Sequence, residues 1–280
     1  MPQCKRDTAK SSQSKSKPRP GTPQQVLASL FDSERNSDKL HGQLIDLPHN
    51  AVTAAIRAAY EVALGLEDTE EEIRRLSCIA RLAKDLTDPK AIVLLLELLE
   101  HEEDCIRDVA GSSIIEVSEE RLAEIRDGIT HAFTRHPESC FALYELPYII
   151  CEFDAAIEDR LDLLAPFLKH TDPDVVCPAI DACVKLISPA AIPMLQPLAN
   201  DTRVFQASCC DCEDCDCEVC DCDDYASYNG DDGESASDHE DSACSHRTIG
   251  RRATAAIDAL TLMGRTMESL TTKDEPNSAC

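Results

Sequence analysis

The 280 residues are 43% hydrophobic but only 4% aromatic, with no tryptophan, and the formal net charge is −26. Leu, Ala and Ile must therefore carry the burial, which suits small-residue helix stacking and argues against sandwich or barrel packing. So acidic a chain is a poor match for a nucleic-acid backbone or an anionic membrane as main partner. Its greasiest stretch, residues 91–99, already contains Glu97 and is too short to span a bilayer.

Residues 1–24 read as a disordered basic tail, with Lys5, Arg6, Lys10, Lys15, Lys17 and Arg19 among Ser and Pro. They are charged but lack the apolar core of a secretory signal, so a cytoplasmic location is expected. Gln25–Phe31 predicts a short apolar helix at the head of the folded region. Asn50 is placed to cap a helix from Ala51 to about Leu64, where Ala54, Ala55, Ala58, Ala59 and Val62 trace a face of helical period. Thr69, with Glu72 three residues on, has the form of a capping box for a helix reaching about Leu86. Asp88-Pro89 then breaks the chain ahead of a helix from Ala91 to Glu100.

From here the chain repeats. Leu99, His101, Ile106, Ala110, Ile114 and Val117 return 69 positions later as Leu168, His170, Val175, Ala179, Cys183 and Leu186. A shift of 69 is two units of about 34 or 35 residues, the length of a two-helix repeat. Second helices are expected to start near residues 70, 104, 138 and 173. The turn Asp88-Pro89-Lys90-Ala91-Ile92 also has an echo in Ser188-Pro189-Ala190-Ala191-Ile192. Such hairpins cannot bury their own apolar faces and must stack on neighbours.

The fifth unit is interrupted. Its first helix is expected over Ala190–Ala199, yet the matching second-helix pattern resumes only at Ile249, Ala253, Ala256, Ile257 and Leu260. These residues align with Val175, Ala179, Ala182, Cys183 and Leu186 at a constant offset of 74, which implies an insert of roughly 40 residues. Because loop-closure entropy rises only logarithmically with length, an insert there is thermodynamically tolerable. The expected organisation is a disordered tail over 1–24, helical repeats over 25–202, a disordered Cys/Asp-rich insert over 203–246, a closing helix over 247–266 and a tail over 267–280.

The units resemble HEAT-like repeats of the phycobilin-lyase type, which place an acidic turn before a second helix beginning Val/Ile-Arg. The matching pieces are Glu102-Glu103-Asp104 with Ile106-Arg107, Glu70-Glu71-Glu72 with Ile73-Arg74, and Thr171-Asp172-Pro173-Asp174 with Val175. The resemblance covers roughly 50–202 and 247–264, and the third unit, with Pro137 and Pro147, departs from it. It implies an all-α, right-handed α-solenoid of about five helix pairs. Members of that family include bilin-lyase subunits, scaffolds and adaptors.

Chemistry-bearing residues are concentrated in the insert. Cys209, Cys210, Cys212, Cys215, Cys217, Cys220 and Cys222 alternate with six Asp or Glu, and Cys-x-Cys thiolates suit Zn(II) or Cu(I). His239, Cys244 and His246 could add ligands. Three readings stay open for this tract: a low-complexity expansion without chemistry, a metal-binding array, and a redox or disulfide segment. Cys78, Cys105, Cys140, Cys151, Cys177 and Cys183 occur singly in helical patterns, where thiols act as small buried hydrophobes.

His101-Glu102 prompts comparison with HEAT-like di-iron hydroxylases, which carry His-Glu pairs on several repeats. Here the equivalent positions are His170-Thr171 and Asn200-Asp201, and one pair cannot hold two irons. His101 and His170 are instead expected to meet helix C-termini as imidazolium. Arg74, Arg75, Arg107, Arg251 and Arg252 recur at one repeat position and are expected to form ladders with neighbouring acidic turns. No Gly-rich phosphate loop, Gly-x-Ser-x-Gly elbow or His-Glu-x-x-His helix occurs. The sequence therefore points to a non-enzymatic interaction module that grips a protein partner on the concave solenoid face. A metal-handling protein and a bilin-lyase-like subunit are the alternatives.

Overall fold

The computed structural model describes residues 21–32, 37–155, 159–205 and 248–271. Among the described residues the chain is all helical, and its only extended pairing is an isolated antiparallel bridge between Val204 and Thr248. The first helices in order are α1 (Pro23–Phe31), α2 (Ser37–Ile45), α3 (His49–Ala63), α4 (Thr69–Lys84), α5 (Pro89–Leu98) and α6 (Asp104–Val117). They are followed by α7 (Leu122–Arg135), α8 (Phe141–Cys151), α9 (Arg160–Leu168), α10 (Pro173–Lys185), α11 (Ile192–Leu195) and α12 (Ile249–Thr271). No described helix is long and apolar enough to cross a membrane.

Local chemistry explains the boundaries. Asp68, Asp88 and Asp172 each cap a helix by accepting backbone N–H groups of the first turn, at 2.9–3.2 Å. Pro89 and Pro173 follow their caps at a position where the missing N–H costs nothing. Two expected caps are displaced. Pro48, not Asn50, precedes α3, and Asn50 lies inside its first turn. Thr69 is the first residue of α4, one place beyond the capping carboxylate of Asp68. A carboxylate offers the positive end of the helix a better acceptor than the Thr69 hydroxyl.

The expected helix over Ala190–Ala199 is broken into a 3-10 turn (Pro189–Ala191), the single turn of α11, and a second 3-10 turn (Gln196–Leu198). Pro193 and Pro197 remove amide donors at two points, so regular α hydrogen bonding cannot run through the segment. The second helix of the third pair begins at Phe141 instead of near 138, after Pro137 and an extended Cys140. Helix α2 has no counterpart in the sequence reading; its nine residues are mostly polar, with Gly42 near the centre and Leu40, Leu44 and Ile45 as the apolar side chains.

Packing follows chain order. Helix α4 lies along α6, α6 along α8, α8 along α10, and α10 along α12. The alternate helices form a second layer, in which α1 meets α3, α3 meets α5 and α5 meets α7. One continuous hydrophobic core runs from Val26 to Leu260. Gly128 lies in the α5–α7 contact, where a Cβ would displace the tip of the Leu96 side chain.

Helix α12 docks through Ile249, Ala253, Ala256 and Leu260, all buried at spacings of four, three and four. It packs on α10, on α11 and against both 3-10 turns. The helix continues to Thr271, past the expected end at 266. Its start is tied to the far side of the insert: Ile249 N–H donates to Arg203 O at 3.0 Å and Gly250 N–H to Asp201 O at 2.8 Å.

Candidate functional site

The layer formed by α3, α5 and α7 carries the most developed polar site. Helix α5 is apolar nearly all round, yet it places Glu97 at 8% exposure beneath a cleft of about 660 Å³. Asn50, Thr53, Ala54, Arg57, Val93 and Glu97 are among its walls. Glu97 is clamped from both neighbouring helices: Arg57 of α3 donates to Oε2, and Arg135 of α7 lies 3.0 Å from Oε1. A carboxylate this buried persists as an ion only when paired, and both guanidiniums retain partial contact with water. Burial and the charge of Glu97 push the Tyr60 hydroxyl up to about 12, so it stays protonated.

The network continues toward the turn edge. Arg135 extends its other terminal nitrogen to Glu100 Oε2 at 3.0 Å, and His136 Nε2 lies 3.1 Å from the same oxygen. Though close, the His136–Glu100 pair lacks an aligned hydrogen bond, and Nε2 is buried without another partner. Cys140, the residue that precedes α8, completes a group in which the donor atoms of Glu100, His136 and Cys140 lie within 4.8 Å of one another. Burial pushes the Cys140 thiol up; the Leu143 amide opposes this, and the Glu100 charge adds to it. Beside the group runs an open acidic groove of about 510 Å³, with Glu72, Glu100, Glu102 and Glu103 on its walls.

His101 and His170 do not play the expected part. Each accepts a backbone N–H at Nδ1 from two residues ahead, from Glu103 at 3.1 Å and from Asp172 at 3.0 Å. Each Nδ1 therefore faces an amide of the turn that follows, so these rings brace tight turns instead of covering helix-end carbonyls. His101 Nε2 sits 3.4 Å from Glu72, and His170 Nε2 is buried without a hydrogen bond.

Arginine takes over the carbonyls. Arg107 donates through one nitrogen to His101 O and Glu102 O, both at 2.8 Å. Position 176, the register equivalent of 107, is Val, and that unit borrows Arg203 instead. Arg203 donates to His170 O at 2.8 Å and Thr171 O at 2.6 Å while its other nitrogens grip Asp201. Arg121 closes Leu86 O and Asp88 O in the same manner, and Arg74 reaches Phe31 O. Arg252 meets Asp181 through two nitrogens, each at 2.7 Å. The nearest acidic partners of Arg74, Arg75 and Arg107 lie on their own helices, and that of Arg252 lies inside α10, not in the neighbouring turns expected, while Arg74 and Arg107 also clip helix-end carbonyls.

Among the described residues the six cysteines are unpaired. Cys177 and Cys183 are buried, and burial pushes both thiols up to about 12. Cys105 is exposed, contrary to the expectation that all six serve as buried hydrophobes, because residue 105 falls on the outer side of the first turn of α6. The proposed ligands Cys209, Cys210, Cys212, Cys215, Cys217, Cys220 and Cys222 lie outside the described residues, as do His239, Cys244 and His246.

Sequence reasoning passed over the Glu97–Arg135 and Glu100–His136–Cys140 groups. A signal was present in His136-x3-Cys140, a ligand-like spacing that follows Glu100 by about one repeat period. It was masked by the irregular third unit.

No family model and no curated protein matches the chain. Among solved structures it is similar to an engineered protein from the Northeast Structural Genomics Consortium, at 16% identity and a TM-score of 0.31, covering 87% of this chain and 98% of the other. A second engineered protein from the same consortium is 14% identical, with a TM-score of 0.32 and coverage of 86% and 99%. Likeness at this level carries neither fold nor function.

Proposed function

We propose that this chain is a non-enzymatic protein-binding module, a right-handed α-solenoid of about five HEAT-like helix pairs of the phycobilin-lyase repeat type. Helix contacts that succeed one another in chain order support the repeat reading, because stacked hairpins meet their neighbours and little else. The observation that carries the binding role is the open cleft between α3 and α5, continued over α7 by the Arg57–Glu97–Arg135 bridge. A built polar centre under an open, largely apolar trough suits a helix or extended segment of a partner. The second helices were the expected grip, on the concave face. Their close side-by-side packing leaves the first-helix layer as the better docking surface. A cytoplasmic setting goes with this reading, since unpaired thiols persist in reducing compartments.

The test is quantitative capture followed by cross-linking and mass spectrometry. Ala54→Glu with Val93→Glu places charge in the cleft, and Ser112→Glu, at an exposed position of α6, is the control. The parent and the control should retain one reproducible partner, cross-linked to α3 or α5, which the cleft variant loses. Capture that is absent from the parent, or indifferent to the cleft variant, overturns the proposal.

A further inference from the structure

We propose that Glu100, His136 and Cys140 form a Zn(II) site that staples the end of α5 to the turn between α7 and α8. Carboxylate, imidazole and thiolate are the three ligand types zinc accepts, and a three-residue set leaves a fourth position for water. The three donor atoms already lie within 4.8 Å of one another. Tetrahedral zinc, with bonds of roughly 2.0–2.3 Å, needs its donors roughly 3.3–3.8 Å apart, so the group must contract by at most about 1.5 Å. Glu100 sits at the end of a helix and has three rotatable bonds with which to do this.

Two further observations point to a ligand. His136 Nε2 is buried beside Glu100 Oε2 at 3.1 Å yet makes no aligned hydrogen bond, an orphan that a metal bond would satisfy. Arg135 is the competing cation, 3.0 Å from Glu100, but its second nitrogen rests 3.0 Å from Glu97. When zinc takes Glu100, Arg135 therefore keeps a buried carboxylate partner. The adjoining groove presents Glu72, Glu102 and Glu103, whose field concentrates divalent cations at its mouth. Binding forms a sulfur–zinc bond and releases the Cys140 thiol proton to solvent. This site is separate from the cysteine tract of the insert and does not depend on the binding role proposed above.

The experiment uses the full chain with Cys209, Cys210, Cys212, Cys215, Cys217, Cys220 and Cys222 replaced by Ser, purified anaerobically and titrated with Co(II) as the zinc probe. One equivalent should give tetrahedral visible bands with a thiolate-to-cobalt charge-transfer band, and Zn(II) should bleach both. Adding Cys140→Ser should abolish the charge-transfer band and the stoichiometric step. Serine is a preferred residue ahead of a helix, so this variant keeps α8. Circular dichroism checks the fold, and His136→Asn gives the second, independent loss. The proposal is overturned if no stoichiometric thiolate-bound cobalt forms, or if the spectrum survives Cys140→Ser unchanged.

Discussion

Replacing Gly250 with alanine tests whether α12 is truly seated on the segment before the insert. A Cβ at this position would stand 2.7 Å from Asp201 O and 2.8 Å from Ala199 O, with Asp201 N at 3.1 Å. All three are backbone atoms, and a relaxed carbon–oxygen contact is about 3.3–3.6 Å, so roughly 0.5–0.9 Å of separation is missing. No side-chain rotation relieves this; the start of α12 must lift. Overpacking of this kind costs about 1–3 kcal/mol. Loss of the Gly250 N–H bond to Asp201 O, now 2.8 Å, adds about 0.5–1.5 kcal/mol. Alanine returns about 1 kcal/mol through its helix propensity. The net is about 2 kcal/mol, which raises the opening equilibrium of α12 roughly 30-fold. Native-state hydrogen exchange should show that loss of protection in the amides around Ala253, Ala256 and Leu260, with α4 and α6 little altered. Unchanged exchange in α12 together with an unchanged urea midpoint would refute the steric argument and the seating it rests on.

Two further outcomes follow from the charged groups. Hydrogen bonds from Arg203 hold the Asp201 carboxyl below the usual aspartate range. A depressed folded value means that its stabilisation is complete above about pH 4 and is lost as pH falls through the lower, folded value. The parent's urea midpoint should therefore exceed that of Asp201→Asn at neutral pH, with the gap closing in acid; a gap independent of pH would count against it. Glu97→Gln leaves Arg57 and Arg135 facing a neutral amide. Removing one member of a buried pair typically costs about 3–5 kcal/mol, but both guanidiniums reach water here, so about 1–3 kcal/mol is expected as a lower midpoint at constant slope. No midpoint shift would show that the bridge contributes nothing net.

What the chain alone determined was the helical register. Apolar spacing and Asp-Pro punctuation are local and survive without knowledge of neighbours, which is why starts predicted near 70, 104 and 173 correspond to helices at Thr69, Asp104 and Pro173. The return of the pattern at Ile249 was also legible, because a residue facing a stacked neighbour must be apolar wherever it lies in the chain. Only the folded chain decided which polar groups meet. Glu97 looked like a blemish on an apolar helix until α3 and α7 brought Arg57 and Arg135 to it across 40 and 38 residues of sequence. Cys140 looked like filler until its turn approached Glu100. Val176 gave no hint that Arg203, from the following unit, would close the carbonyls of residues 170 and 171. Burial is a property of one residue and leaves a trace in composition, whereas pairing depends on two positions and on the packing angle between their helices.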